Sequence, residues 1–142
     1  MSDGLDLVLQ SDHGSVRRAM DDVVSHLGAH GVPAERAEDV RLALTELLNN
    51  IVEHAYQGRA GGEIHLELRT RDAQLTLHVV DHGAPVPSDL LERGVMPAFD
   101  LDDPLSLPEG GMGLALALQL LDKVHWVHRD GSNHLQVQTR LG

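Results

Sequence analysis

Five polar side chains with the potential to bind a metal or move a proton follow one another between apolar residues in the stretch 38–56. They are Glu46, Asn49, Asn50, Glu53 and His54. Carboxamide and carboxylate oxygens suit a hard cation such as Mg²⁺, and a carboxylate can also accept a proton. Exposed helix faces more often carry a mixture of Lys, Arg and Glu. The composition of this face therefore predicts that it borders a nucleotide site.

A long amphipathic helix must hold these side chains on one side. At 3.6 residues per turn, the apolar residues of the stretch gather on the opposite face. They are Val40, Leu44, Leu47, Leu48, Ile51 and Ala55. Pro33 suits the first turn of this helix. The spacing predicts a helix over Glu38–Tyr56 that buries its apolar face.

Two further stretches have residue types that can bind a nucleotide. Asp81 ends an apolar strand and is followed by Gly83, and such a carboxylate can accept a hydrogen bond from an amino group like that of adenine. Residues 110–113 place three glycines at the start of a helix, where free backbone amides favour phosphate. Taken singly, each stretch is more often a simple turn or a solvated face.

The rest of the chain supplies elements that can position these stretches. Alternating apolar residues predict strands over Gly4–Gln10, Glu63–Arg71, Gln74–Asp81, Lys123–Arg129 and His134–Leu141. A helix is predicted over Ser15–His30, with Asp12 or Ser11 as its cap, and one or two helical turns over Ser88–Arg93. Tight turns join two pairs of strands into hairpins. The sum predicts an α+β fold, a two-layer sandwich with helices on one face of a mixed, mostly antiparallel sheet.

Composition excludes several classes of function. The 142 residues fit one domain and carry a net charge of −11, which argues against nucleic acid or an anionic membrane as the main partner. The absence of cysteine excludes disulfides, thiol catalysis and a Cys-ligated zinc. Lys123 is the only lysine and no GxxxxGK stretch occurs, which excludes a P-loop. Without a signal-like or membrane-spanning segment, we expect a soluble, cytoplasmic protein.

The order and spacing of the three stretches resemble a known family. The segments ELLNNIVEHAY from Glu46, DHGAP from Asp81 and GGMGL from Gly110 look like the N, G1 and G2 boxes of the GHKL ATPases. The pattern E-x-x-x-N-x-x-x-H-A-Y is most similar to the stand-alone anti-sigma-factor serine/threonine kinases of the RsbW and SpoIIAB type. The resemblance covers nearly the whole chain, from the first helix to the last hairpin, and implies a single domain over residues 1–142 with the Bergerat ATP-binding fold.

The resemblance implies a role for individual residues. Glu46 would be the general base, Asn50 would coordinate Mg²⁺ through its side-chain oxygen, and His54 would lie near the nucleotide. Asp81 would bind the adenine amino group and Gly83 would admit the ring, with Pro85 beside them. In the G2 box, which comprises Gly110, Gly111, Gly113 and Leu114, the glycines would present amides to the phosphates. Residues 84–110 would form a lid over ATP.

The resemblance also implies partners. Proteins of this type bind either a sigma factor or a small STAS-domain anti-anti-sigma factor, which they inactivate by phosphorylating a serine or threonine, and they are commonly homodimers. Asp100, Asp102 and Asp103 depart from the family pattern, because acidic side chains in the lid would repel phosphate if they pointed inward. This departure favours an alternative, a non-catalytic ATP-binding module that acts by sequestration.

Two other interpretations are weaker. The ATP-binding half of a histidine kinase is disfavoured because we expect no dimerisation helix with a phosphoacceptor histidine. The ten histidines invite a metal site, with His26 and His30 or His125 and His128 as pairs. No third ligand and no HExxH motif accompany either pair, so these histidines are predicted to be exposed or half-buried side chains.

Overall fold

The computed structural model describes residues 4–85 and 112–142, and in them helices cover one face of a five-stranded sheet. The strands are β1 (Gly4–Gln10), β2 (Glu63–Arg71), β3 (Gln74–Asp81), β4 (Lys123–Arg129) and β5 (Ser132–Arg140). Their order across the sheet is β1-β2-β3-β5-β4 and each of the four pairings is antiparallel. The predicted α+β fold is confirmed, although the described strands form an antiparallel sheet and not a mixed one.

Side-chain alternation explains which face of the sheet is covered. Along β2, Ile64, Leu66 and Leu68 are buried while the residues between them are exposed. Asp72 and Ala73 both adopt a positive φ, 53° and 59°, in the turn between β2 and β3. A positive φ at both central residues matches the twist of a two-residue hairpin. This turn was predicted, and it fixes the register that places the apolar residues of both strands on one face.

Three helices pack on the covered face. They are α1 (His13–Ala29), α2 (Ala34–Asn50) and α3 (Met112–Leu120), and α2 contacts both of the others. Asp12 caps α1, because its Oδ1 accepts a hydrogen bond from the Ser15 amide at 2.7 Å. Ser11, the other candidate cap, instead accepts a hydrogen bond from the Gly62 amide at 3.0 Å.

The helix predicted over Glu38–Tyr56 is present, and Pro33 lies at its start as predicted, but its last part is not α-helical. Helix α2 begins four residues earlier, at Ala34, and after Asn50 the chain continues as a π-helical turn over Ile51–Ala55. The Tyr56 amide donates to the Ile51 carbonyl at 3.1 Å, a spacing of five residues. The wider turn buries Ile51, Val52 and Ala55 together and leaves Glu53 and His54 exposed. A constant 3.6-residue period therefore does not describe this segment. Single π turns inside helices are frequent at functional sites.

Arg36 joins the two layers at the end of the molecule where α2 begins. Its guanidinium donates to the Arg140 carbonyl at 2.9 Å, to the Leu120 carbonyl at 3.0 Å and to Thr139 Oγ1 at 2.8 Å. These bonds connect α2 to the end of α3 and to β5. Because the carbonyl of the last residue of a helix has no partner within the helix, the Arg36 contact also completes the end of α3.

Some predictions fall outside the described residues. These are the short helix over Ser88–Arg93, the glycines Gly110 and Gly111, and all but the first two residues of the predicted lid over 84–110. No helix within residues 4–85 and 112–142 is long and apolar enough to cross a lipid bilayer.

Candidate functional site

The last row of residues on the apolar face of the sheet contains three polar side chains. The strand register places Ile64, Asp81, Asn133 and His128 side by side on β2, β3, β5 and β4. The neighbouring row on the same face is formed by Leu66, Val79, Leu135 and Trp126. Asp81 and Asn133 are each only 1% exposed, so both occupy positions that the strand pattern reserves for core residues. Buried polar groups at such positions require partners.

The Asp81 carboxylate has one satisfied and one unsatisfied oxygen. Oδ1 accepts hydrogen bonds from the Gly83 amide at 3.0 Å and from Asn133 Nδ2 at 2.8 Å. Oδ2 is buried and has no hydrogen-bond partner among the residues that the structure describes. Because an unpaired buried acceptor costs free energy, Oδ2 is a position where a ligand donor would be stabilising.

The electrostatic environment of Asp81 contains opposing effects. Burial raises the pKa of the Asp81 carboxyl, and this is the largest effect. The hydrogen bonds from Asn133 and Gly83, and the nearby His82 and His128, act in the opposite direction on that pKa. A donor bound to Oδ2 would favour the charged form of Asp81 further, since a hydrogen bond to a carboxylate stabilises its ionised state.

The π-helical turn contacts the segment that follows Asp81. The Ala84 amide donates to the Ala55 carbonyl at 2.7 Å. A Cβ at Gly83 would lie 2.6 Å from the Ala55 carbonyl carbon and 2.9 Å from the Ala55 Cβ. Backbone packing against the π turn therefore requires glycine at position 83, whereas the admission of a base by Gly83 stays a prediction.

Tyr56 connects this contact to β2. Its hydroxyl donates to the Glu63 carbonyl at 2.6 Å and accepts a hydrogen bond from the His82 amide at 3.0 Å. The sequence favours Tyr56 as a packing residue over a stacking platform, and the hydrogen bond that holds the residue after Asp81 was not predicted. The π turn, Tyr56 and residues 81–84 form one hydrogen-bonded unit.

The polar face of α2 holds Glu46, the predicted general base, and Asn50, the predicted ligand of Mg²⁺. Asn50 is 7% exposed, and its Nδ2 donates to the Glu46 carbonyl at 2.7 Å, which leaves the carboxamide oxygen for another partner. Asn49 Oδ1 instead lies 2.8 Å from His13 Nδ1. The half-buried Glu46 carboxylate makes no hydrogen bond or ion pair to the described part of the chain. Glu46 and Asn50 are therefore the members of this face with an uncommitted oxygen.

The other predicted site residues are placed as follows. His54 and Pro85 are exposed, Gly113 lies in the first turn of α3, and Leu114 is 2% exposed in the core. Gly110 and Gly111 lie outside the described residues. Asp81, Gly83 and the end of the π turn are brought together, and α3 is held against α2 by the shared core.

Asn133 is the second site residue that sequence reasoning missed. The sequence predicts a strand over His134–Leu141 and places Asn133 in the turn before it, whereas β5 spans Ser132–Arg140. Counting back by two from Val137 and Leu135 places Asn133 on the buried face. A polar residue at a predicted core position was the available signal.

The residues present fit an adenine nucleotide with Mg²⁺. Asp81 Oδ2 is a buried acceptor without a partner, which suits an amino group. Among residues 4–85 and 112–142 no group of three or more His, Asp or Glu side chains could hold a metal ion. Mg²⁺ is usually bound by one or two protein oxygens together with substrate phosphates and water, so the oxygen of Asn50 fits the metal of a nucleotide complex.

Family comparison agrees with this geometry. The chain belongs to the histidine kinase-like ATPase domain family, whose match spans residues 9–139. The GHKL resemblance predicted from the three boxes is therefore confirmed.

Individual relatives narrow the group. The chain is 33% identical over 109 residues to the serine-protein kinase RsbW of Bacillus cereus and to that of Bacillus thuringiensis, which covers 76% of this chain and 67% of each relative. Among solved structures, the RsbU and RsbW domains of Rv1364c from Mycobacterium tuberculosis match with a TM-score of 0.63 and 20% identity. That match covers 97% of this chain and 32% of the other, and it shows the shared fold.

Proposed function

We propose that this chain is an ATP-dependent protein serine/threonine kinase and anti-sigma factor. In this proposal it phosphorylates a STAS-domain anti-anti-sigma factor and sequesters a sigma factor when the antagonist is phosphorylated. The proposal extends to a homodimer and to a single domain over residues 1–142 whose segment 84–110 acts as a lid over ATP.

One observation carries the nucleotide part of this proposal. The carboxylate of Asp81 is buried with one oxygen satisfied and one oxygen unpaired among the described residues. A buried anion would otherwise be a cost to the fold, so the arrangement is best explained by a ligand that donates a hydrogen bond. The 33% identity to RsbW serine-protein kinases supports a hydroxyl-bearing protein as the acceptor of the phosphoryl group.

Transfer of a phosphoryl group requires few chemical groups of the protein. When bound, ATP supplies the phosphoryl group and Mg²⁺ offsets the negative charge of the phosphates. Asn50 would hold the metal through its carboxamide oxygen, and Glu46 would accept the proton of the substrate hydroxyl. Glu46 lies four residues before Asn50 on α2, so the two side chains share one side of the helix. Gly111 and Gly113 are proposed to donate backbone amides to the phosphates.

The Glu46→Gln variant tests the catalytic assignment. Glutamine keeps the shape of the side chain but cannot accept a proton, so we expect phosphotransfer to fall by at least about a hundredfold while ATP binding stays within about threefold. Transfer is measured with γ-labelled ATP and a purified STAS-domain anti-anti-sigma protein, and binding by calorimetry. Glu38→Gln, an exposed change nearer the start of α2, serves as the matched control.

The same experiment separates the proposal from the sequestration alternative. Equal loss of binding and transfer in Glu46→Gln would contradict a role as general base. Wild-type protein that binds ATP and a sigma factor but transfers no label would instead support the non-catalytic module. Acid-labile label on a histidine would point to a histidine kinase.

A further inference from the structure

We infer that Asn133 is a positioning residue for Asp81 and that it sets the preference of the site for a purine with a 6-amino group. This inference rests on the proposed binding of ATP and adds a residue of the β4–β5 hairpin to the site. None of the three sequence boxes contains Asn133.

The amide of Asn133 is fully used. Nδ2 donates to Asp81 Oδ1 at 2.8 Å and to the Ala84 carbonyl at 2.8 Å, and Oδ1 lies 3.1 Å from His128 Nδ1. The side chain therefore links the carboxylate on β3, the segment after it and the neighbouring strand β4. With Asn133 only 1% exposed, no water can readily replace these bonds.

This bonding pattern decides which oxygen of Asp81 is available. The Gly83 amide and Asn133 both donate to Oδ1, so the rotation of the carboxylate is fixed from two directions. Oδ2 then remains as an acceptor of defined position. An acceptor recognises the 6-amino group of adenine and rejects the 6-oxo group of guanine or hypoxanthine, which presents a second acceptor.

Loss of Asn133 should act in two ways. The carboxylate would lose a hydrogen bond that holds its pKa down against the effect of burial, so the uncharged form would become more populated. It would also gain freedom to rotate, since the Gly83 amide would be the remaining donor to Oδ1 among the described residues. Both changes weaken selection for a 6-amino group and neither weakens contacts to the rest of the nucleotide.

The inference is tested by measuring the affinity of wild type and of one Asn133 variant for each of two nucleotides. Binding of ATP and of purine riboside triphosphate, which lacks the 6-amino group, is measured for wild type and for Asn133→Leu, a change of similar volume. We expect wild type to prefer ATP by at least about tenfold, the value of one hydrogen bond to a charged group. In Asn133→Leu we expect ATP affinity to fall about tenfold and affinity for the analogue to change less than about threefold.

Two further variants distinguish a loss of nucleotide preference from a general loss of stability. Asn133→Thr retains a hydroxyl donor and is expected to keep most of the preference for ATP. Thr139→Val removes a buried polar group from the other end of β5, where Thr139 contacts Arg36, and should lower stability without altering the preference. In nucleotide-free protein, NMR titration of the Asp81 carboxyl should show a higher pKa in Asn133→Leu than in wild type and no change in Thr139→Val.

Each outcome bears on a different statement. If Asn133→Leu keeps the wild-type preference for ATP, or loses both nucleotides equally while Asn133→Thr does the same, the inference is wrong and the proposed function stands. If wild type binds neither nucleotide, the proposed function and the inference both fail. If wild type binds ATP selectively through Asn133 but transfers no phosphoryl group, only the kinase assignment fails.

Discussion

At the scale of a single residue, Asp81 lowers the stability of the ligand-free protein and is also the residue proposed to bind adenine. The folded chain encloses a carboxylate whose second oxygen has no partner in the described residues, and burial raises the pKa of the group. Such a residue lowers the stability of the ligand-free protein and becomes favourable only when a donor occupies the site. The same oxygen is therefore an energetic cost in the ligand-free protein and, in the proposed function, the acceptor for the adenine amino group.

The Asp81→Asn variant makes this cost measurable. Because the pKa of Asp81 is higher in the folded than in the unfolded chain, its stabilising effect is complete below the unfolded pKa and is lost as pH rises through the folded pKa. Asparagine does not titrate, so as pH rises above about 4, the ordinary pKa of an aspartate, the wild-type free energy of unfolding should fall relative to that of the variant. Urea unfolding, followed through the fluorescence of the single tryptophan Trp126, measures both. A difference that is independent of pH would contradict the assignment.

The sequence predicted the site residues that belong to the three motifs. It did not predict the residues that hold them in place in the folded chain. Asp81, Glu46 and Asn50 stand in motifs, whereas Asn133 and Tyr56 act through contacts that depend on strand register and on the path of the π turn. Register between β3 and β5 joins residues 52 positions apart, so no local pattern can reveal that Asn133 meets Asp81.

At the scale of elements, the junction between the π turn and residues 81–84 controls the site. Gly83 packs against the Ala55 backbone, which cannot move without displacing the end of the π turn. The carbonyl of Ala55 also holds the Ala84 amide at 2.7 Å. Any side chain at position 83 must separate two segments that carry proposed ligand contacts.

Gly83→Ala tests this junction. The new methyl group would overlap the Ala55 carbonyl, so we expect the free energy of unfolding to fall by about 1–3 kcal/mol. Gly28→Ala is the matched control, because Gly28 lies in α1 with open space around it and alanine there should stabilise the helix by up to about 1 kcal/mol. Equal effects of both changes in chemical denaturation would show that position 83 is not tightly packed.

Arg36 provides an element-scale prediction away from the site. It makes three hydrogen bonds between α2, the end of α3 and β5, so Arg36→Ala should lower the free energy of unfolding by about 2–3 kcal/mol. Arg41→Ala removes an ion pair with the exposed Asp21, 3.0 Å away, and should cost less than about 1 kcal/mol. Thermal and urea unfolding compare the two variants. A smaller loss for Arg36→Ala than for Arg41→Ala would contradict the role of Arg36.

Element types and most boundaries could be predicted because β2 and β3 alternate cleanly and the Asp72–Ala73 turn between them is short. The bounds of β1, β2, β3 and β4 agree with the prediction to the residue. The π turn could not be predicted, since Ile51, Val52 and Ala55 suit an α-helix equally well until tertiary packing buries all three. The start of β5 was missed because Asn133 looks like a turn residue.

At the scale of the whole molecule, the proposed function requires an acidic chain to bind a polyphosphate. The net charge of −11 repels such a ligand at long range, so we propose that affinity comes from local donors and a metal ion. The layered fold supplies a place for this, where the end of the sheet meets the π turn that follows α2. The fold class could be predicted from the spacing of apolar residues, and the family from the order and spacing of three short boxes that resemble those of the GHKL ATPases.

Calorimetric titration of the intact chain with ATP and Mg²⁺, at two temperatures and beside Asp81→Asn, tests the central claim most directly. We expect one nucleotide to bind per wild-type chain and binding by the variant to be at least about tenfold weaker, because its amide would present a donor to the adenine amino group. Absence of binding by wild type at both temperatures, or equal affinity of the two proteins, would contradict the claim that Asp81 Oδ2 receives the base of a nucleotide.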